Sequence, residues 1–273
     1  MIDEEVGFTP TFRLKSERSV RLLLSQSLIQ ARRLLFRWLR DFVTVTGAVA
    51  LPILLLFVLK IVLGNLIYLM THDNALYSIV PIIALGAAIT GSTFAAIDLM
   101  RERASGLLSR FWVMPVHRAS GLLSRLLANL IRVLFTTVVI LGAGMILGFR
   151  FRGGLAASLV WLSVPVVLGF AFTVVVTTVA LYTTQTVVVE GVELAHAIAL
   201  FFSTGLVTLN QYPRWIQPVV SHQPVSYAIA AMRGSAAGGP ILSPILVLLL
   251  WTVGICAACA VPSVIAYRRA STH

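Results

Sequence analysis

Long apolar runs alternate with short charged segments along the chain, and this alternation limits what it can become more than any other feature. The runs fall at about 42–63, 78–97, 122–149, 155–182, 194–209 and 244–267. A helix needs about 20 apolar residues to cross the hydrocarbon of a bilayer, and every run but the short fifth meets that length. Of the 273 residues, 58% are hydrophobic and 11% charged, whereas soluble domains run about 45–50% apolar and about 25% charged. In lipid each backbone polar group must find its partner inside its own segment, so such runs become helices. The expected fold is an all-α membrane protein with six transmembrane helices, a transmembrane domain over 42–267.

The formal charge of +11 would suggest nucleic acid in a soluble protein. Here the bases crowd into segments beside the apolar runs, so the implied partners are membrane lipids and not nucleic acid. Six spans put both termini on one side. That side would carry fifteen Lys and Arg residues, and the other only Arg150, Arg152, Arg214 and Arg233. Basic loops stay on the cytoplasmic side, so both ends are expected in the cytoplasm and the protein in the plasma membrane. The segment 183–193, which this topology places inside, has no Lys or Arg to hold it there.

Residues 1–18 read as a polar cytoplasmic tail. No cleavable signal peptide is expected, because the first apolar run starts late and follows a basic segment. From 19 to 40 the pattern is helical: Val20, Leu24, Leu28, Ala31, Leu35 and Trp38 recur at three- and four-residue spacing, with Arg33, Arg37 and Arg40 on another face. This amphipathic helix suits a membrane surface or the surface of a soluble partner. Pro52 is tolerated as a kink in the first span, and Lys60 lies near its far end, where it can snorkel outward. The segment 65–77 reads as a polar turn, 150–154 as a tight turn, and 183–193 as a brief polar segment. The second run is rich in Gly and Ala, which allows close helix approach. The stretch 210–243 holds Pro213, Pro218, Pro224, Gly238, Gly239 and Pro240. It is too broken to span and too apolar for free solvent, so an outer-face pair of short helices, re-entrant or lying on the surface, is expected between the fifth and sixth spans. Trp38 and Trp215 are the expected interfacial anchors. Residues 268–273 form a second cytoplasmic tail.

One loop, 98–121, is dense in charge: Asp98, Arg101, Glu102, Arg103, Arg110 and Arg118, punctuated by Gly106 and Pro115. Charge alone fits two roles, fixing topology or docking a soluble partner. The octet Arg103–Arg110 recurs unchanged as Arg118–Arg125; one duplication does not make a solenoid. The order acid–base cluster, Gly, Leu and Arg, Pro, Arg resembles the loop after the second helix in permease subunits of ABC-2 type transporters. The later order Pro-x-Trp-Ile-Gln-Pro, His-Gln-Pro-Val-Ser-Tyr and Ala-Met-Arg233 resembles the outer-face hairpin of the same family. The likeness extends over nearly the whole chain. It is strongest to daunorubicin/doxorubicin-resistance-type permeases of actinobacteria, and within them to mycobacterial subunits linked to export of phthiocerol dimycocerosate lipids. A 183–193 loop poorer in bases than usual departs from the pattern.

The resemblance implies an ATP-driven exporter of a lipidic or amphipathic substrate. The loop would be the coupling helix that meets the ATPase, through Arg101, Glu102, Arg103, Gly106, Leu108, Arg110, Pro115 and Arg118. Implied partners are two ABC ATPase subunits, which bind ATP and magnesium, and a second permease subunit, a non-identical homologue. The chain carries no G-x-x-x-x-G-K-[ST] loop, no catalytic motif and no metal-ligand spacing among its five His, so no cofactor and no enzymatic activity of its own are expected. Cys256 and Cys259 read as small membrane-helix residues sooner than as a redox or zinc pair. Glu190 and Glu193 read as interfacial acids at the start of the fifth helix, with a proton-coupled role the other reading. Thr90, Ser92, Thr93, Ser203 and Thr204 are the polar candidates for the substrate path. The alternatives are a secondary transporter, which would show inverted repeats and a midplane ion site, and a membrane-embedded lipid transferase.

Overall fold

The computed structural model describes residues 20–71, 73–104 and 120–272. All of its regular structure is helical: α1 (Val20–Arg40), α2 (Phe42–Thr71), α3 (Leu76–Ala104), α4 (Ser120–Ile146), α5 (Gly154–Tyr182), α6 (Thr186–Phe201), a 3-10 turn (Leu209–Gln211), α7 (Gln217–His222), α8 (Pro224–Ala237) and α9 (Leu242–Thr272). Among the described residues five helices, α2, α3, α4, α5 and α9, are long and apolar enough to cross a membrane. The first half of the fifth apolar run lies in α6, a helix of 16 residues, about 24 Å long.

Several boundaries move from those expected. α2 continues two turns past 63, so the turn after it shrinks to residues around Asn74, whose side-chain oxygen accepts from the Leu76 N–H at 3.0 Å. The polar segment 183–193 is mostly helix, because α6 starts at Thr186. Polar residues open a helix readily when one face can still pack, and here Val189 is fully buried against α3 and α5. α9 runs past Arg268 and Arg269 to Thr272; charges end a span without ending a helix. The turn expected at 150–154 begins earlier, because α4 ends at Ile146, and it runs to Gly153, with Gly148 and Gly154 at positive φ.

α3 is the axis of the bundle. It packs against α4, α5, α2, α6 and α8, and 67% of its apolar stretch is buried, against 6% for α2 and 11% for α9. Two apolar clusters result. The larger joins α3, α4, α5 and α8 around Trp161, Phe149, Ile79 and Met232. The smaller joins α3, α5 and α6 around Phe172, Val176 and Met100. A polar knot ties the same helices together. Asn129 of α4 donates from Nδ2 to Ser92 Oγ of α3 (2.9 Å) and Thr173 Oγ1 of α5 (2.7 Å), all three buried. Interhelical hydrogen bonds of this kind hold spans together where lipid supplies no hydrophobic drive.

The segment after α6 tucks under α8. Gly205 lies so close to Ile82 and Ile229 that a Cβ would sit at 2.6 Å from Ile82, so only glycine fits. Arg233 of α8 locks this contact, donating from Nη2 to Ser78 Oγ (2.9 Å) and to the Thr204 and Gly205 carbonyls (3.1 Å each). α8 ends on Gly238 at φ 86, whose N–H returns to the Gly234 carbonyl, the usual left-handed helix stop.

Candidate functional site

The described part of the charged loop is an ion cluster built from three helices. Glu102, near the end of α3, takes Arg37 of α1 on Oε1 at 2.9 Å and Arg125 of α4 on Oε2. Glu102 and Arg125 are largely buried and Arg37 is more than half exposed. Arg103 reaches the other way, donating to the Leu181 carbonyl at 2.8 Å. That carbonyl belongs to the last turn of α5, where a cation meets the negative end of the helix dipole. Arg101 points outward beside Asp98 at 3.9 Å. So Glu102 and Arg103 bind the end of α3 to α1, α4 and α5, while Arg101 stays free to meet something outside. Gly106, Leu108, Arg110, Pro115 and Arg118 lie outside the described residues.

α1 lies along the first half of α4. Gln30 meets Ser120 and Ser124, and further on Leu34 and Trp38 meet Arg132 and Phe135. Its packed face is Ser27, Ala31 and Trp38, while Leu24 and Leu28 are exposed. The apolar stripe expected from the sequence is thus split between core and surface. Trp38 is not a free anchor: it is buried, edge-on to Phe135 and under the Arg132 guanidinium. Trp215, in contrast, is 78% exposed. Asp41 ends α1 and caps α2, its carboxylate accepting from the Thr44 N–H (3.2 Å) and hydroxyl (2.5 Å). These hydrogen bonds hold its pKa below the ordinary carboxylate value.

Above this junction a cavity of about 540 Å³ opens between α2 and a wall made by α3, α4 and α6. Its lining is apolar, from Val43, Leu51, Leu55 and Leu59 across to Ile82, Phe94 and Leu200, with Gly47, Gly86 and Gly91 leaving room. Thr90 faces it. The other polar path candidates do not line it: Ser92 belongs to the buried knot, and Thr93 hydrogen bonds back to the Ile89 carbonyl. Ser203 is fully buried, and its carbonyl accepts from the Tyr212 hydroxyl at 3.0 Å; burial raises that phenol's pKa. Thr204 is tied to Arg233. The path residues therefore separate into Thr90 on the cavity, Thr93 bonded within its own helix, and three that join helices and turns.

Sequence reasoning missed three side chains of the ion cluster and the cavity lining. Arg37 and Arg125 complete the Glu102 cluster, and nothing local to Glu102 marks a partner 65 residues away. Arg132 is the one charged residue on the cavity lining. An Arg well inside an apolar run is itself a signal of function.

At the opposite end of the bundle, Lys60 donates to the Leu147 carbonyl at 2.7 Å, closing the end of α4. Arg152 pairs with Asp73 at 3.5 Å and lies over the Tyr77 ring.

A bundle of apolar helices with a charged elbow at one end and a lateral apolar cavity is a transporter's membrane subunit in outline. Residues 25–236 match the ABC-2 type transporter family. The chain is 68% identical over 270 residues, 99% of its length and 98% of the relative's, to the "Probable doxorubicin resistance ABC transporter permease protein DrrC" of Mycobacterium tuberculosis. It is 21% identical over 226 residues, 82% of this chain and 80% of the relative's, to the "Daunorubicin resistance ABC transporter permease protein DrrB1" of Streptomyces coeruleorubidus. The chain belongs to the ABC-2 type transporter family, as a permease subunit.

Proposed function

We propose that this chain is the permease of an ATP-driven exporter that carries lipidic or amphipathic molecules, a complex lipid or a hydrophobic drug, out across the plasma membrane. The observation that supports this most is the apolar cavity between α2 and the α3–α4–α6 wall, whose lining reaches Trp38, Phe94 and Arg132, on the three helices α1, α3 and α4 that also form the ion cluster at Glu102. The names of the two relatives, which speak of doxorubicin and daunorubicin resistance, favour amphipathic cargo.

In this reading α6 and the turn after it complete a sixth span, and both termini are cytoplasmic. α1 lies at the inner interface, and the 210–243 segment forms a re-entrant hairpin on the outer face. Two ATPase subunits, which hold ATP and magnesium, dock on the 98–121 loop. A second permease, a non-identical homologue, stands beside this one. ATP binding closes the ATPases and pushes the loop. Arg101 and the part of the loop beyond Ala104 receive the push, and Glu102 and Arg103 pass it to α1, α4 and α5. The end of α3 moves with them, and the cavity wall shifts against α2. A push of this kind changes the balance of inward and outward states only as far as the loop's contacts differ between them.

Co-purification in mild detergent tests the assembly: the ATPase subunit should accompany the chain, and an active lone chain would overturn the reading. Substrate-stimulated ATP hydrolysis by the reconstituted complex, measured across a lipid and drug panel, tests the cargo. Arg101→Ala should lower stimulated turnover with the fold intact.

A further inference from the structure

We propose that the cavity binds an anionic, chain-bearing lipid, with its hydrocarbon against α2 and α3 and its head group on Arg132. The proposal gives a ligand class to the cavity read above as the cargo's station, and it rests on that reading for its meaning in transport.

The argument begins with what the cavity wants. Its volume of about 540 Å³ is within the range of about 300–1,000 Å³ that encloses a drug-sized ligand. Two of its three hydroxyls are already taken up within the protein, and Thr90 alone is left to a ligand. Thr136 donates to the carbonyls of its own helix at Arg132 and Val133, and Thr44 donates to Asp41. An apolar chain therefore fits the walls, and a ligand polar along its length does not.

Arg132 breaks this uniformity. Among the lining residues it is the single charged one, and a cation in apolar surroundings demands an anion. No described carboxylate forms an ion pair with it. Asp98, which also lies 3.9 Å from Arg101, is the carboxylate whose charge acts on it most, and the nearby Arg125 adds positive charge. Glu102 is engaged with Arg37 and Arg125. The guanidinium is also held ready. It lies over the Trp38 ring at 5.5 Å, Nη2 makes a long bond of 3.5 Å to the Leu34 carbonyl, and Nε is buried without a partner. An arginine has five N–H donors in a planar fork that suits phosphate and carboxylate, and most of this fork is unused.

The level is right for a head group. Trp38, Thr44 and Arg132 line the same cavity, so Arg132 stands beside the α1–α2 junction, where the apolar run of α2 begins. A lipid of the inner leaflet can keep its head there while its chain enters between α2 and α3.

The test uses the full chain in detergent, with two photoactivatable probes of identical acyl chains, phosphatidylglycerol and phosphatidylcholine. Capture at the cavity residues of α2 and α3 should favour phosphatidylglycerol by about tenfold, the scale of one charge-assisted hydrogen bond. Arg132→Gln should abolish the preference and leave phosphatidylcholine capture unchanged. Arg132→Lys keeps charge and stem and should keep part of the preference, which guards against an unfolded amide variant. Gly91→Leu should lower capture of both probes, since a Cβ there meets nothing within 4 Å and the side chain would fill the cavity. Millimolar inorganic phosphate should not displace the lipid. Equal capture of the two probes, a preference that survives Arg132→Gln, a preference lost in Arg132→Lys, unchanged capture in Gly91→Leu, or displacement by phosphate would each overturn the proposal. Transport by the full complex separates the two readings. If Gly91→Leu blocks lipid capture but exports normally, the binding site stands and the station reading falls. If it blocks export while no head-group preference exists, the reverse holds.

Discussion

α2 and α3 are neighbours of similar length, yet they stand in opposite relation to the bundle. α2 has a mean hydropathy of 2.6 in its most apolar window and is 6% buried there; α3 has 1.8 and is 67% buried. In water the more apolar helix would be inside. In lipid the outside is as apolar as the inside, so burial goes to the helix that can pack closely and bond sideways. α3 has Gly86 and Ala88 for approach and Ser92 for a bond; α2 has bulky Leu54, Ile61 and Val62 pointing away from the bundle. The exposed helix also forms the loose side of the cavity. A wall that barely packs is one that can move, while α3 carries the ion cluster at its end.

That contrast can be broken at four places. The largest effect is expected at the end of α3: Glu102→Ala leaves buried Arg125 without its partner and should cost about 3 kcal/mol, read as a fall in unfolding temperature together with loss of ATP-coupled transport. If stability and coupling both survived, α3 would not be the mechanical axis. Next comes the knot. Asn129→Ala removes two interhelical bonds and should cost about 1–2 kcal/mol, measured by unfolding in detergent. A neutral result would assign the burial of α3 to packing alone.

A smaller effect belongs to the start of α2. The Asp41 cap has a lowered pKa, so its contribution is complete above the ordinary carboxylate value of 3.8 and disappears as pH falls through the lowered one. The stability difference between the wild type and Asp41→Asn should therefore be constant near neutral pH and shrink in acid. A difference that instead changed around pH 6–7 would show another group in control. The smallest effect is expected on the outer face of α2, where Ile61→Ala in the isolated chain should change stability by under about 0.5 kcal/mol. A clear loss in the assembled complex, absent from the isolated chain, would place a second subunit on that face.

Much of the fold was legible in the residues, and the reason is local. A run such as 155–182 becomes α5 almost to the residue because helix hydrogen bonds join positions four apart and hydropathy acts residue by residue. The polar stretch 183–193 deceived because its own composition does not reveal Val189 packing against Phe172 and Val176. Of the path residues, Thr90 reached the cavity, while Ser92 looked the same in sequence and joined the knot with Asn129 and Thr173. Nothing in a serine's neighbours along the chain says which way its helix face will turn.

The sequence by itself determined a helical membrane protein, the asymmetry of its basic residues and the charged elbow after the second run, all properties of short stretches in lipid. Only the tertiary structure decided that α3 is the buried axis, that Glu102 joins Arg37 and Arg125, and that Arg132 lies on an otherwise apolar cavity. Those facts depend on which faces meet across tens of residues of separation, and packing and polar pairing settle that only when the whole bundle closes.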